Sequence, residues 1–191
     1  MPDKTDKTAQ TTSWNRRTIP PNWSPQQIIQ HFTESYPVDV IGLAKAFGLE
    51  VYERNLDPNV SGMIFRDPAY ASNPLAYGIA VNEADPYYRK RFTIAHEIAH
   101  FLLHRNKIAH GLKDDRLYRS GMSNQLETQA NRLAADILMP RRLIRQLLEQ
   151  GVTDPAAMAS RLQVSMDAMK LRLGLTQQER RQKLVGEEGT T

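Results

Sequence analysis

A run near the middle of the chain, Arg91 to His104, constrains the fold more than any other stretch. It contains the pattern His96-Glu97-x-x-His100. On an α-helix, residues four apart lie on one face, roughly 6 Å apart along the axis. Two imidazoles at that spacing can converge on one tetrahedral metal ion. Glu97 is rotated about 100° around the helix, where it can meet a water on such an ion but is poorly placed as a third ligand.

The residues around this pattern predict that it lies on a helix. Asp85-Pro86 offers an N-cap followed by a proline at the first helical position. Apolar residues then recur at intervals of three and four, which is typical of a helix with one buried face: Phe92, Ala95, Ile98, Ala99 and Leu102. The histidines lie beside that face. We therefore predict a semi-buried metal site rather than two unrelated histidines.

Composition narrows the class of protein. The 191 residues suffice for one core and a small appendage. The chain has no cysteine, which excludes thiolate ligands and thiol catalysis and is typical of a reducing compartment. No apolar run approaches the roughly 20 residues of a membrane helix, and residues 1–15 are polar, unlike a signal peptide. We expect a cytoplasmic protein that does not enter a membrane.

The charge pattern argues against direct binding of nucleic acid. The net charge is +4, from 25 basic and 21 acidic residues spread along the chain. Nucleic-acid-binding proteins concentrate positive charge on one face, whereas the basic runs here are short and lack interleaved aromatic residues. Residues 153–173 have the rhythm of a helix-turn-helix. Lys170 and Arg172 are the only basic residues of its second helix, too few to hold phosphates firmly.

Cap and turn signals divide the chain into a flexible arm (1–24), a folded domain (25–175) and a flexible tail (176–191). Within the domain, helices are predicted over 26–36, 37–48, 86–104, 124–138, 141–150, 155–162 and 166–173. Strands are predicted over 49–52, 60–66 and 75–81, the last two as a hairpin. The sum predicts an α+β fold, with a small antiparallel sheet packed on a mainly helical body.

A site with two histidines needs a third protein ligand and an open position for water. Glu127 is the strongest candidate, because it shares a helix face with Ala130, Ala134 and Leu138 and has no Lys or Arg three or four residues away. A carboxylate on an apolar face needs a compensating charge, which a metal ion would supply. A basic residue from another element would also meet this need.

Other acidic and histidine residues are weaker candidates for the third ligand. They are Asp114, Asp115, Asp136, His31 and His110. Asp136 points about 180° away from Glu127 and has Arg132 four residues back as a salt-bridge partner. His104 lies roughly 12 Å from His96 along the helix axis, too far to share the ion. We expect His104 to cap the helix end or to line the cleft.

Two segments together resemble the ImmA/IrrE family of metallo-endopeptidases. They are Arg91 to His104 and Glu127 to Pro140, within a resemblance that extends over about residues 26–175. The resemblance implies a zincin-like body and a metal-dependent hydrolase. It also implies a protein substrate, since several family members cleave a helix-turn-helix repressor, often encoded next door, or pair with such a protein as toxin and antitoxin.

Carried over by position, the resemblance implies that His96, His100 and Glu127 bind Zn²⁺ and that Glu97 is the catalytic base. Two imidazoles and one carboxylate can also accept Mn²⁺. The oxyanion formed during hydrolysis needs a donor, and the candidates are Tyr88, Tyr118 and His104.

The sheet and the partner raise two further expectations. Because the strand at 75–81 immediately precedes the motif helix, we expect an exposed edge of this sheet to hold substrate as an added strand. The partner is expected to be a helix-turn-helix repressor or antitoxin. The alternative is a metal-containing toxin or anti-repressor that binds its partner without cleaving it.

Overall fold

The computed structural model describes residues 19–66, 77–108 and 124–175. Most of the predicted arm (1–24) and the whole predicted tail (176–191) lie outside the described residues. The same holds for His110, Asp114, Asp115 and Tyr118.

The predicted α+β class is confirmed. The helices are α1 (Pro25–Phe32), α2 (Val40–Ala46), α3 (Tyr87–Ile108), α4 (Asn124–Leu138), α5 (Arg141–Glu149), α6 (Pro155–Leu162) and α7 (Met166–Leu173). The strands are β1 (Glu50–Arg54), β2 (Gly62–Arg66) and β3 (Tyr77–Asn82). In the part of the chain that the structure describes, no helix is long and apolar enough to cross a membrane.

Side-chain caps fix where several helices begin. Ser24 and Gln27 form a capping box, in which the Ser24 hydroxyl accepts the Gln27 N–H at 3.3 Å and the Gln27 amide oxygen accepts the Ser24 N–H at 2.8 Å.

α3 begins one residue later than predicted, because the Pro86 carbonyl accepts the first helical bond, from the Lys90 N–H at 3.0 Å. Asp85 lies instead 3.8 Å from the Arg89 guanidinium.

The three-stranded sheet is mixed, in the order β1-β3-β2. β2 and β3 are antiparallel, with Ile64 opposite Ile79, as the predicted hairpin requires. β1 pairs with β3 in parallel, with Val51 opposite Ile79, so the expectation of a wholly antiparallel sheet was wrong. The six residues of β3 are all buried, and so buried a strand belongs at the centre. The chain reverses direction twice between β1 and β3, so these two strands run the same way.

α3 packs its apolar face on the sheet and on the other helices. The buried residues of this face are Ile94, Ala95, Ile98, Ala99 and Phe101. Gly62 marks a close approach of β2 to α3, because a Cβ at this position would lie 2.6 Å from the Ala80 carbonyl oxygen and would overlap the Thr93 methyl group. Glycine therefore lets the start of β2 lie directly against the first half of α3.

The C-terminal helices complete one hydrophobic core with α3 and the sheet. Its fully buried members in this region include Ile137, Leu143, Leu147, Met158 and Leu162. Arg172 of α7 pairs with Asp136 of α4 at 2.7 Å and donates to the Met139 carbonyl at 3.0 Å. Asp136 thus has a salt-bridge partner from another helix, rather than the predicted Arg132.

A buried arginine joins α3 to two distant parts of the chain. Arg91 is only 6% exposed. Its Nη2 donates to the Val38 carbonyl at 2.9 Å, and its Nε donates to the Gln163 carbonyl at 3.1 Å. The side chain therefore ties the motif helix to the segment before α2 and to the turn after α6.

Replacing Arg91 with methionine is expected to lower the free energy of unfolding by about 3 kcal/mol, because two buried carbonyls lose charged donors. Urea unfolding followed by circular dichroism measures the change. Arg89→Met is the matched control, since Arg89 lies two residues earlier on α3 and its side chain is 64% exposed. Equal stability of the two variants would contradict a structural role for the Arg91 hydrogen bonds.

Candidate metal centre

Three side chains from α3 and α4 meet where these helices cross. The Nε2 atoms of His96 and His100 are 2.8 Å apart. Glu127 faces both, with Oε2 3.4 Å from His96 Nε2 and Oε1 3.4 Å from His100 Nε2. The i, i+4 spacing on α3 sets the first distance, and the helix crossing sets the other two.

This donor set fits a divalent metal ion. In a tetrahedral zinc site with bonds of roughly 2.0–2.1 Å, neighbouring ligand atoms lie about 3.3 Å apart. The three groups offer one ligand atom each, all within 4.8 Å of one another. Two imidazoles and one carboxylate leave an open coordination position, as catalytic sites do.

Asn131 orients the first of these histidines. His96 Nδ1 lies 3.0 Å from Asn131 Oδ1. An amide oxygen only accepts, so His96 carries its proton on Nδ1 and its Nε2 presents a lone pair toward His100 and Glu127. Asn131 stands four residues after Glu127, on the same face of α4, and this spacing is the only signal of its role in the sequence.

Both histidines favour the neutral form that a metal ion requires. Burial lowers the pKa of His96, although Glu127 and Asn131 oppose the shift. Burial, followed by the neighbouring His96 and His104, lowers the pKa of His100 to about 3. At neutral pH both rings therefore retain a free lone pair.

The side chain of His104 lies beside the candidate metal centre and does not cap the end of α3. Its Nδ1 is 3.1 Å from His100 Nδ1, and its Nε2 is 3.1 Å from Gln129 Oε1 on α4. The expectation that it caps α3 or lines the cleft was wrong, because the four-residue spacing that pairs His96 with His100 also pairs His100 with His104. With both ring nitrogens engaged, His104 is not placed to donate to an oxyanion.

Glu97 lines an open cleft beside the three side chains. Glu97 is 7% exposed. The cleft has a volume of about 420 Å³. The cleft is bounded by the segment leading into β2, by one side of α3 and by α4: Asn59, Val60, Ser61, Gly62, Arg89, Phe92, Thr93, His96, Glu97 and Asn131. A bound group in this cleft would contact His96 and Glu97 together.

The remaining candidates lie elsewhere in the described residues. Asp136 pairs with Arg172, and His31 lies 3.9 Å from Glu34. Tyr88 packs its ring against Tyr87, with centroids 5.8 Å apart, and does not line the cleft.

The fold and the family match agree with this arrangement. The model of a peptidase family, described as the IrrE N-terminal-like domain, matches residues 44–174. No curated protein matches the chain in sequence. A similar solved structure is a Mycobacterium tuberculosis transcriptional regulator, 20% identical with a TM-score of 0.51, and the match covers 78% of this chain and 46% of that one.

At this level of identity the regulator shows the fold alone, and this chain spans about half of its length. The family match extends from the end of α2 to the end of α7 and includes both helices of the candidate metal centre. The chain belongs to the IrrE N-terminal-like family of peptidases, a metallopeptidase-type family in which a metal ion is implied.

Proposed function

We propose that this chain is a zinc-dependent endopeptidase that hydrolyses a peptide bond in a protein substrate. One observation carries the proposal. Two imidazole nitrogens and a carboxylate converge within 3.4 Å of their neighbours, beside a second carboxylate in an open cleft. Without a cation, these electron-rich atoms would repel one another.

In this mechanism His96, His100 and Glu127 hold the ion, which supplies Lewis acidity when bound. Zn²⁺ is the preferred ion and Mn²⁺ the alternative. Glu97 is the general base: it takes a proton from the attacking water and returns it to the leaving amine. Its burial in the cleft wall keeps its carboxylate close to the substrate and limits competing water.

The outer edge of β2 is the proposed position for an extended substrate. β3 is the central strand, so the edges of the described sheet are β1 and β2, and we assign the expected substrate-binding edge to β2. Among the described strands, β2 pairs only with β3, and its first residue, Gly62, lines the cleft with Glu97. A peptide added to this edge would run past the base.

The proposed substrate is a helix-turn-helix repressor or antitoxin in the cytoplasm. The family resemblance supports this class. The helix-turn-helix-like end of this chain is a weak candidate for binding DNA, because Arg172 is held by Asp136 and Met139. Thus α7 stabilises the fold, and we propose a protein partner rather than a nucleic acid.

The test is a cleavage assay with the zinc-loaded chain. Its substrates are the helix-turn-helix protein encoded beside its gene and a peptide library prepared from a bacterial proteome. We expect new peptide termini, detected by mass spectrometry, that disappear after chelation and return when Zn²⁺ is restored. Identical products with and without chelator would show a contaminating or metal-independent activity and would exclude this mechanism.

A further inference from the structure

We infer that His104 and Gln129 form a hydrogen-bonded relay that fixes the tautomer of His100 and so makes its Nε2 a metal ligand. The inference rests on the proposed metal centre and concerns residues outside the ligand set. The relay runs from Gln129 Oε1 to His104 Nε2 at 3.1 Å, and from His104 Nδ1 to His100 Nδ1 at 3.1 Å. His100 Nε2 then faces Glu127 at 3.4 Å.

The direction of each hydrogen bond follows from its acceptor. The Gln129 amide oxygen only accepts, so His104 donates through Nε2–H. A neutral imidazole has one proton, which leaves His104 Nδ1 as an acceptor. His100 must therefore donate through its own Nδ1–H, and its Nε2 carries the lone pair that a metal ion needs.

Burial makes this relay effective. His100 and His104 are both buried, among the few buried polar residues of the described chain. The alternative tautomers would leave a donor facing a donor or an acceptor unpaired. This mispairing is costly because water has little access to the shared bond and cannot supply the missing partner. Asn131 performs the equivalent task for His96 in a single step. His104 and Gln129 are thus positioning residues that act through His100.

Two variants of Gln129 test the direction of the relay. Gln129→Leu removes the acceptor and is expected to weaken Zn²⁺ affinity about tenfold, within the range for groups that orient a ligand. Gln129→Glu supplies an acceptor that cannot donate, so affinity should equal or exceed that of the unmodified chain. If the amide instead donates to His104, the glutamate variant will lose affinity as the leucine variant does, and the inference fails.

Gln125 provides matched controls, because it is an exposed glutamine one turn earlier on α4. Gln125→Leu and Gln125→Glu make the same changes in side chain and charge away from His104. Both should leave Zn²⁺ affinity, measured by competition with a chromophoric chelator, unchanged. If Gln125→Glu raises affinity as much as Gln129→Glu, the effect is one of charge, and the direction of the relay is then decided by the protonation of the ring nitrogens.

Ring nitrogens report the tautomers directly in the zinc-loaded full chain. With ¹⁵N-histidine labelling, we expect His104 to be protonated on Nε2 and bare on Nδ1, and His100 to be protonated on Nδ1. His104 protonated on Nδ1 would overturn the inference. Failure of the unmodified chain to bind Zn²⁺ would remove the metal centre itself, whereas unchanged affinity in Gln129→Leu would remove only the relay.

Discussion

Glu127→Gln is expected to weaken Zn²⁺ binding by more than about 100-fold, because loss of a ligand should exceed the 10- to 100-fold effect of losing a group that only orients one. The substitution keeps the size of the side chain but removes the charge that balances the ion. Glu127 is the only acidic member of the described three-residue group. Competition with a chelator of known affinity measures the loss.

The fold should survive this substitution. The Glu127 side chain is 43% exposed, and in the metal-free chain its negative charge faces two neutral imidazoles with bare nitrogens. Removing the charge relieves this repulsion, so thermal unfolding of the metal-free variant should occur at the same temperature as that of the unmodified chain or at a higher one. Asp136→Asn is the matched control on the same helix, because Asp136 faces Arg172 at 2.7 Å. If Asp136→Asn weakens zinc binding and Glu127→Gln does not, the ligand assignment is wrong.

Local patterns in the sequence predict several helices closely, although α1 ends four residues before its predicted end (32 against 36) and α3 four residues after (108 against 104). α4 and α7 begin and end at the predicted residues, 124–138 and 166–173, because apolar periodicity and caps are encoded within a few neighbouring positions. The order of the strands is not encoded in this way. β1 pairs with β3 across a separation of 28 residues, Glu50 with Gly78, and this choice depends on which strand can be buried on both sides.

The same distinction applies to the candidate site. The sequence indicates His96, Glu97, His100 and Glu127, because a fixed helical spacing and an apolar face identify them. It does not indicate Gln129 or Asn131, since a polar residue on an exposed helical face resembles any other until the crossing of two helices selects it. For His104 the sequence does carry a signal, because its four-residue spacing from His100 brings the two rings into contact even where a shared ion is too distant.

Glu97→Gln separates an enzyme from a protein that only binds its partner. The variant keeps the shape of a side chain that is 7% exposed, and it leaves His96, His100 and Glu127 intact. We expect zinc affinity to be preserved while kcat for peptide hydrolysis falls by about 10²- to 10⁴-fold, the usual contribution of a general base. The assay is the appearance of new termini in the substrate that the unmodified zinc-loaded chain cleaves.

Glu83→Gln is the control for loss of a carboxylate, because Glu83 is exposed just after β3 and does not line the cleft. Its rate should match that of the unmodified chain.

In cells that carry the partner protein, Glu97→Gln should also abolish the biological effect if cleavage produces it. Should the variant keep the full effect while binding zinc normally, the chain would act by holding its partner. Glu97 would then move no proton, and the metal centre would stabilise a surface that binds the partner.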